Sequence, residues 1–242
     1  MTVHERGLVG AMLFGPLTDE EWLALRLSLQ VATCAACFCL PLAVAVGYLL
    51  SRASFVGKWL VEVLIDLPLV LPPVVTGYLL LVCFGPHGPI GALLAQWFGV
   101  KIAFTWLGAV LASAVVSFPL MVRAVRLTFQ GIDPRLETAA RSLGAGRLTA
   151  FFTVSLPLAR RGLIVAWTLG FARSLGEFGA TIMIAGNIEG KTRTIPLAIY
   201  SLANRPEGME QSWRLVWLSI LLACGALVAS GLLERRRPHD AA

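Results

Sequence analysis

Hydrophobic residues along this chain form long runs that short polar segments separate. The five longest runs extend over about 28–50, 59–84, 104–125, 163–185 and 215–233. Each run is long enough, at roughly 20 residues, for a helix to cross a bilayer. The pattern therefore predicts an all-α membrane protein with five transmembrane helices.

The second of these runs is interrupted by prolines. Pro68 and the pair Pro72-Pro73 lie near its middle, and proline removes a helical hydrogen bond and clashes with the preceding turn. Broken backbone at membrane depth is tolerated only against protein or a water-filled cavity. We therefore expect this span to be irregular and to lie inside the helix bundle, away from lipid.

The longest polar segment, at 133–160, is rich in arginine. Seven arginines lie in or beside it, against only two acidic residues, and such basic loops are typical of the cytoplasmic side of a membrane. Five spans then place the N-terminus outside and the C-terminus inside. The predicted organisation is an outer segment at 1–21, a membrane domain at 22–233 and a cytoplasmic tail at 234–242.

Two short helices are predicted inside the polar segment. Asp133-Pro134 is a good helix start, because a capping side chain precedes a proline in the first turn. Small and apolar residues then recur at helical spacing, namely Leu136, Ala139, Ala140 and Leu143. Gly144 ends this helix, and a second is expected over 147–155, with Leu156-Pro157 as its end. An exposed apolar face at a membrane surface indicates a docking site for another protein.

The composition agrees with a membrane protein. The 242 residues are 57% hydrophobic and 14% charged, whereas soluble domains average about 25% charged residues. The net charge of +6 follows from the arginine-rich loop, so it predicts no nucleic-acid partner. The five cysteines lie in apolar runs, and the Cys34-x2-Cys37 pair has no second pair of ligands, so no metal site is predicted.

No residues point to catalysis. The segment 185–192, AGNIEGKT, nearly matches a phosphate-binding loop, but that loop needs a preceding strand and an α/β sheet, and here it follows a membrane span. The three histidines are scattered over the termini and one loop. We therefore expect no enzyme activity, no cofactor bound by this chain, and a partner that supplies energy.

Charged residues within the apolar runs are candidate functional residues, because each costs about 2.5–3.5 kcal/mol at the centre of a membrane helix. Arg173 and Glu177 are four residues apart and are expected to share one helix face. They either lock helices together as a structural ion pair or line a polar path through the helices, and both interpretations stay open. Asp66 is a third candidate beside the proline break, and Glu62 is expected to pair with Lys58.

The polar segment resembles the cytoplasmic EAA loop of ABC-transporter permeases, which has the pattern E-A-A-x3-G-x9-I-x-L-P. Thr138 occupies the usual Glu position, and the acid comes one residue earlier at Glu137. The resemblance implies that the loop couples to a cytoplasmic ATPase. The residues implied in coupling are Glu137, Thr138, Ala139, Ala140, Gly144, Leu156 and Pro157.

Four further stretches, DLPLVLPPVVTGYLLL, SFPLMVRAVRL, FARSLGEFGATIMIAGN and TRTIPLAIY, resemble the permease subunits of bacterial molybdate ABC importers. The resemblance implies a type I ABC importer permease fold in the inner membrane of a bacterium. The implied partners are a second copy of the chain, an ABC ATPase dimer that uses ATP and Mg²⁺, a periplasmic molybdate-binding protein and the lipid bilayer.

Other transport functions stay open at this point. Sulfate, thiosulfate and tungstate permeases are the alternatives of the same class, because tetrahedral dianions are chemically similar. A secondary anion transporter is disfavoured, since the chain has no evident chain of membrane acids and no matching halves. A membrane scaffold without transport activity is disfavoured by the broken second span.

Overall fold

The computed structural model describes residues 17–206 and 208–235, and the expectations for residues 1–16 and 236–242 lie outside them. All regular structure in the described part is helical. The helices are α1 (Asp19–Arg52), α2 (Lys58–Val70), α3 (Pro73–Phe84), α4 (Pro89–Phe98), α5 (Trp106–Gln130), α6 (Pro134–Ser142), α7 (Arg147–Leu175), α8 (Gly179–Ala185), α9 (Ile195–Ala203) and α10 (Gly208–Arg235).

Four helices, α1, α5, α7 and α10, are long and apolar enough to cross a membrane. The helices α2 and α3 pass the same test together, although they are bent by 109° at their junction. The predicted number of five apolar passes is therefore confirmed when the bent pair counts as one pass. The short helix α4 follows this bent pair.

Small residues hold the centre of the bundle, where α1, α5 and α7 pack against one another. A Cβ on Gly47 of α1 would lie 2.7 Å from Val125 of α5, and one on Gly170 of α7 would lie 2.3 Å from Met121. Because lipid tails are as apolar as leucine, membrane helices associate through close packing rather than through apolar burial. Glycine at these positions permits that close approach.

The second span is broken at the predicted place. The helix α2 ends at Val70 and α3 begins at Pro73, whereas Pro68 is accommodated inside α2. The expected position inside the bundle is wrong for the single chain, because no residue of α2 is buried and α3 buries only Thr76 and Gly77. A proline break at membrane depth does not require burial within the same chain. The broken span lies on the outside of this chain.

The fourth span differs from the prediction at both ends. Its helix, α7, already begins at Arg147 and continues through Pro157, with a π-helical turn at Phe151–Ser155 just before the proline. A wider turn relieves the clash of a proline ring with the preceding backbone, so Leu156-Pro157 does not end the helix. At the other end α7 stops at Leu175, and a separate helix, α8, covers most of the remaining run.

The segment between the fourth and fifth predicted spans contains the helix α9, which the hydrophobic pattern did not predict. A start signal was present in the sequence, since Thr194 precedes the helix and Pro196 lies in its first turn. The helix α9 packs against the N-terminal parts of α1 and α10 in one apolar cluster, which consists of Ala24, Leu25, Ile195, Ala198 and Leu215.

Candidate functional site

The candidate coupling loop consists of α6, the first turns of α7 and the residues that join them. Asp133 begins α6, and its side chain accepts a hydrogen bond of 2.9 Å from the Arg135 amide. Gly144 follows α6 with a φ of +96°, and no other atom lies within 4 Å of the place that its Cβ would take. Glycine is therefore required here by the left-handed backbone of the turn and not by crowding within the chain.

Large apolar side chains on the loop are exposed. Leu143 is 90% exposed, and three further residues, Leu136, Leu148 and Phe152, are also exposed. Exposed apolar residues surrounded by charged ones mark interaction surfaces, so the loop has the composition of a docking surface. Ala139 lies exposed among them, and Ala140 is half-buried.

Glu137 points away from this surface into the chain. The Tyr48 hydroxyl donates a hydrogen bond of 2.8 Å to its carboxylate, the Ser155 hydroxyl donates a second one, and Arg52 Nη2 lies 3.4 Å away. Burial raises the pKa of Glu137, but the hydrogen bonds from Ser155 and Tyr48 and the charge of Arg52 outweigh it, so that the pKa lies below its usual value. We call these four residues, Tyr48, Arg52, Glu137 and Ser155, the Glu137 junction.

The Glu137 junction connects three membrane helices to the loop. Tyr48 and Arg52 belong to the end of α1. Arg52 Nη2 also donates a hydrogen bond of 3.1 Å to the carbonyl of Ile132, which lies just after α5. The rings of Phe129 on α5 and Phe151 on α7 pack against the Tyr48 ring, with centroids 5.1 and 4.7 Å away. The arrangement fixes α6 to the ends of α1, α5 and α7.

Thr138, the residue at the usual Glu position, has a different environment from Glu137. It is exposed, and its hydroxyl donates a hydrogen bond of 3.2 Å to the Pro134 carbonyl within α6. The one-residue shift of the acid therefore changes its direction, because successive helical residues differ by about 100°. Leu156 and Pro157 lie within α7, the former half-buried and the latter exposed.

Arg173 and Glu177 form the expected ion pair, with 2.9 Å between Nη1 and Oε2. The expected shared helix is wrong, because α7 ends at Leu175 and Glu177 lies in the break before α8. Its second oxygen accepts a hydrogen bond of 2.9 Å from the Ala180 amide in the first turn of α8. The carboxylate, only 2% exposed, thus serves as partner of Arg173 and as cap of the next helix.

The two helix breaks meet in space. A Cβ on Gly179, at the start of α8, would lie 2.8 Å from the Pro73 side chain at the start of α3. One turn later, a Cβ on Gly77 would lie 2.6 Å from the Ala180 carbonyl. The helices α3 and α8 therefore run side by side in the same direction and start at one level, which the sequence pattern did not indicate.

Asp66 pairs with a residue that sequence reasoning had placed beside the polar loop. Arg123, on α5, donates two hydrogen bonds to the carboxylate of Asp66. They join Nε to Oδ1 at 3.0 Å and Nη2 to Oδ2 at 2.6 Å. One turn away, Arg126 lies 2.9 Å from Glu62. The prediction that Glu62 pairs with Lys58 is wrong, since Lys58 Nζ donates a hydrogen bond of 3.0 Å to the Ala53 carbonyl instead.

The sequence held a signal for these two ion pairs. Glu62 and Asp66 are four residues apart, Arg123 and Arg126 are three apart, and both spacings place the charges on one helix face. Because α5 extends to Gln130, both arginines belong to a span and not to the loop after it.

The segment that resembles a phosphate loop is a closed turn after α8. Thr192 is fully buried, and its hydroxyl accepts a hydrogen bond of 2.9 Å from the Ile188 amide. The Asn187 side-chain amide donates a hydrogen bond of 2.7 Å to the Ser201 hydroxyl, and its oxygen accepts one of 3.0 Å from Arg193 Nε. These side chains stabilise the turn itself, and helices flank it on both sides. Among residues 17–206 and 208–235, no three potential ligands cluster as a metal site.

The fold is similar to that of solved importer permeases. A chain of a bacterial ABC transporter that imports the acidic polysaccharide alginate matches with a TM-score of 0.69 and 13% identity, covering 98% of this chain and 91% of that one. A chain of the inward-facing MetNI methionine ABC transporter matches with a TM-score of 0.67 and 16% identity, covering 98% and 100%. The chain therefore has the type I ABC importer permease fold.

Sequence comparison gives closer relatives. The molybdenum transport system permease protein ModB of Escherichia coli K12 is 55% identical over 90% of this chain and 96% of its own length, and that of Haemophilus influenzae is 53% identical over 88% and 93%. The sulfate transport system permease protein CysT of Salmonella typhimurium is 41% identical over 73% of this chain and 64% of its own. The family model described as binding-protein-dependent transport system inner membrane component matches residues 40–237. The chain is thus a multi-pass membrane protein that belongs to the family of inner membrane components of binding-protein-dependent transport systems.

Proposed function

We propose that this chain is the permease subunit of an ATP-driven importer for molybdate. The observation that carries the proposal is the 55% identity to the molybdenum transport permease of Escherichia coli, which extends over 90% of this chain. A match over 219 of the 242 residues leaves only 23 residues unmatched, so the resemblance concerns most of the chain and not a single motif.

Import of sulfate or thiosulfate is the second candidate, because a sulfate permease is 41% identical over 73% of this chain. Sulfate, molybdate and tungstate are all tetrahedral dianions, so a pathway that passes one of them offers suitable donors to the others. Selection between them then rests mainly with a soluble binding protein that delivers the anion.

In the proposed importer, two copies of this chain form the pathway around a two-fold axis. A cytoplasmic ATPase dimer binds the coupling loops, and it holds the ATP and Mg²⁺, so this chain needs no cofactor of its own. A periplasmic binding protein delivers the anion to the outer side. The exposed apolar residues of the coupling loop support the ATPase contact, and the family's dependence on binding proteins supports the periplasmic partner.

We place the N-terminus outside and the coupling loop in the cytoplasm, on the basis of its arginines. A reporter that is active only in the cytoplasm should work when fused after Arg237 and fail when fused after Gly88. The reverse pattern would overturn this orientation and the ATPase contact with it.

The Glu137 junction supplies a route from the docked loop to the spans. When ATP-driven closure of the ATPases moves α6, the contacts of Glu137 with Tyr48 and Ser155 move the ends of α1 and α7 with it. The helix α7 carries Arg173 in its last turn. A change at the loop therefore alters the position of a charge near the middle of the membrane.

Arg173, Glu177 and Asp66 are the proposed pathway charges. A fixed guanidinium offsets the cost of bringing a dianion into a region of low dielectric constant. Glu177, bound to Arg173 at 2.9 Å, prevents that charge from holding the anion too tightly. Transport requires such a balance, since the anion must leave the site as readily as it enters.

The test is uptake by this chain after reconstitution with an ABC ATPase and a molybdate-binding protein from the same organism. Radiolabelled molybdate should enter vesicles only with ATP and the binding protein, and sulfate should enter more slowly. Faster uptake of sulfate would favour the second candidate, and uptake without ATP would exclude an ATP-driven importer. Vesicles without the permease provide the control for leakage.

A further inference from the structure

The outside of the single chain carries four charged side chains where the helices α2 and α5 meet. Arg123 and Asp66 are 58% and 30% exposed, and Arg126 and Glu62 are 30% and 31% exposed. We call Glu62, Asp66, Arg123 and Arg126 the α2–α5 charged face. All four belong to helices that the hydrophobic pattern assigns to membrane spans.

The charged face reaches into the part of α5 that the hydrophobic pattern assigns to the membrane. Arg123 precedes the last residue of α5, Gln130, by seven positions, which corresponds to about 10 Å along a helix. A lone arginine at this depth would extend its side chain towards the interface. Here Nε and Nη2 instead bind the two oxygens of Asp66, so the guanidinium is held against α2.

The neighbouring helix α1 carries an exposed surface of a different composition at the same level. A Cβ on Gly47 would lie 3.1 Å from the Arg126 amide nitrogen, so α1 and α5 run side by side there. The exposed stripe of α1 at helical spacing is entirely apolar and consists of Phe38, Leu42, Ala45 and Leu49. Charged groups that face hydrocarbon are costly, so the α2–α5 charged face must adjoin water or protein.

We propose that the α2–α5 charged face lines a water-filled inner mouth of the anion pathway, opposite the second copy of the chain. This inference rests on the proposed function. Two arginines and two acids cancel in charge, so the face offers no net charge that would trap an anion. The bonds to Asp66 use Nε and Nη2 of Arg123 and leave Nη1 as a donor for a passing dianion.

The same arrangement explains why α2 buries no residue in the single chain. A helix at the edge of a pathway between two copies needs few contacts within its own chain. Glu62 and Asp66 attach α2 to α5 at the edge of the lumen, and the rest of its surface is free for the lumen or the partner copy. The proline break at its end then lies where irregular backbone is tolerated, against a water-filled cavity.

The test measures access of water at single cysteines in the assembled transporter. The five native cysteines are replaced by alanine, and Arg123→Cys and Ala45→Cys are compared in inside-out vesicles with a charged, membrane-impermeant methanethiosulfonate reagent. Ala45 is the matched control, because it is exposed at the same level on the apolar stripe of α1. We expect Arg123→Cys to react at least about tenfold faster than Ala45→Cys.

A second variant leaves both ion pairs intact, in case the loss of Arg123 impairs folding. Val70, 81% exposed, follows Asp66 by one turn on α2. Val70→Cys should also react faster than Ala45→Cys, and a negatively charged reagent should react at least as fast as a positive one of equal size and intrinsic reactivity. Rates at Val70→Cys and Arg123→Cys as low as at Ala45→Cys would overturn the inference, as would a preference for the cationic reagent.

The labelling uses no substrate, so its outcome is separate from that of the proposed function. A reactive charged face in a complex that imports sulfate would support the inner mouth and contradict molybdate as the substrate. An unreactive face in a complex that imports molybdate would support the proposed function and contradict the position of the inner mouth at this face.

Discussion

Two ion pairs of this chain differ in the burial of their carboxylates, since Glu177 is 2% exposed and Asp66 is 30% exposed, whereas Arg173 is itself 32% exposed. The Arg173–Glu177 pair is local in the chain, its carboxylate is 2% exposed, and the same carboxylate caps α8. The Arg123–Asp66 pair joins residues 57 positions apart, and both of its side chains are partly exposed. Breaking a buried pair leaves an uncompensated charge, whereas an exposed pair contributes little to stability. The comparison separates a pair on which folding depends from one whose role we expect in transport.

The largest effect is expected from Arg173→Gln. It leaves the buried Glu177 carboxylate with the Ala180 amide as its described partner, and loss of one member of a buried pair costs about 3 kcal/mol. The thermal unfolding temperature of the purified protein and its level in the membrane should both fall.

Combining Arg173→Gln with Glu177→Gln distinguishes a structural role of the ion pair from a role in the anion pathway. The double variant Arg173→Gln/Glu177→Gln removes both charges, so it should regain most of the lost stability. We expect it to transport molybdate poorly nonetheless, because the pathway has lost its guanidinium. Normal uptake by the double variant would show that the pair serves folding alone.

The coupling loop gives the next largest effect. Gly144→Glu should insert normally but lose ATP-dependent uptake and co-purification of the ATPase, because the left-handed turn is strained and the docking surface gains a charge. Gly144→Ala isolates the backbone contribution of about 1–2 kcal/mol. Gly146→Ala is the matched control, since Gly146 has an ordinary φ of −66°. Full coupling in Gly144→Glu would contradict the role of this loop.

The Glu137 junction gives a smaller, pH-dependent effect. The folded-state pKa of Glu137 lies below its usual value of 4.5, so its ionised form stabilises the fold. This contribution is fully present above pH 4.5 and is lost as the pH falls through the lowered pKa. The unfolding temperature of Glu137→Gln should therefore lie below that of the parent at neutral pH, with a difference that shrinks below pH 4.5. A difference that is constant with pH would contradict the contribution of the charge.

The smallest effect on stability is expected from Asp66→Asn. An exposed pair contributes about 0–1 kcal/mol, so the unfolding temperature should change little, in contrast to Arg173→Gln. Molybdate uptake should nevertheless slow, because Arg123 without its partner holds the anion more tightly. Glu62→Gln is the parallel variant one turn away. A large loss of stability in Asp66→Asn would remove the distinction between the two ion pairs.

The sequence alone was sufficient for features that depend on local spacing. The length of the apolar runs predicted five passes, and the start of α6 at Asp133-Pro134 and the break at Pro72-Pro73 followed from residues next to one another. The closeness of Arg173 and Glu177 was also predicted from their spacing, although the helix ends at Leu175 and the two residues meet across its end. Helix length, capping and proline breaks depend on a few neighbouring residues, which a sequence shows directly.

Tertiary structure alone decided which helices meet and at what level. Asp66 and Arg123, or Glu137 and Tyr48, come together only because their helices pack in one register. Nearly every position of a membrane span is apolar, so hydrophobic periodicity does not identify the face that is buried. The exposure of α2 and the meeting of the two helix breaks at Pro73 and Gly179 therefore became known only from the packed chain, where small residues permit close approach of the helices.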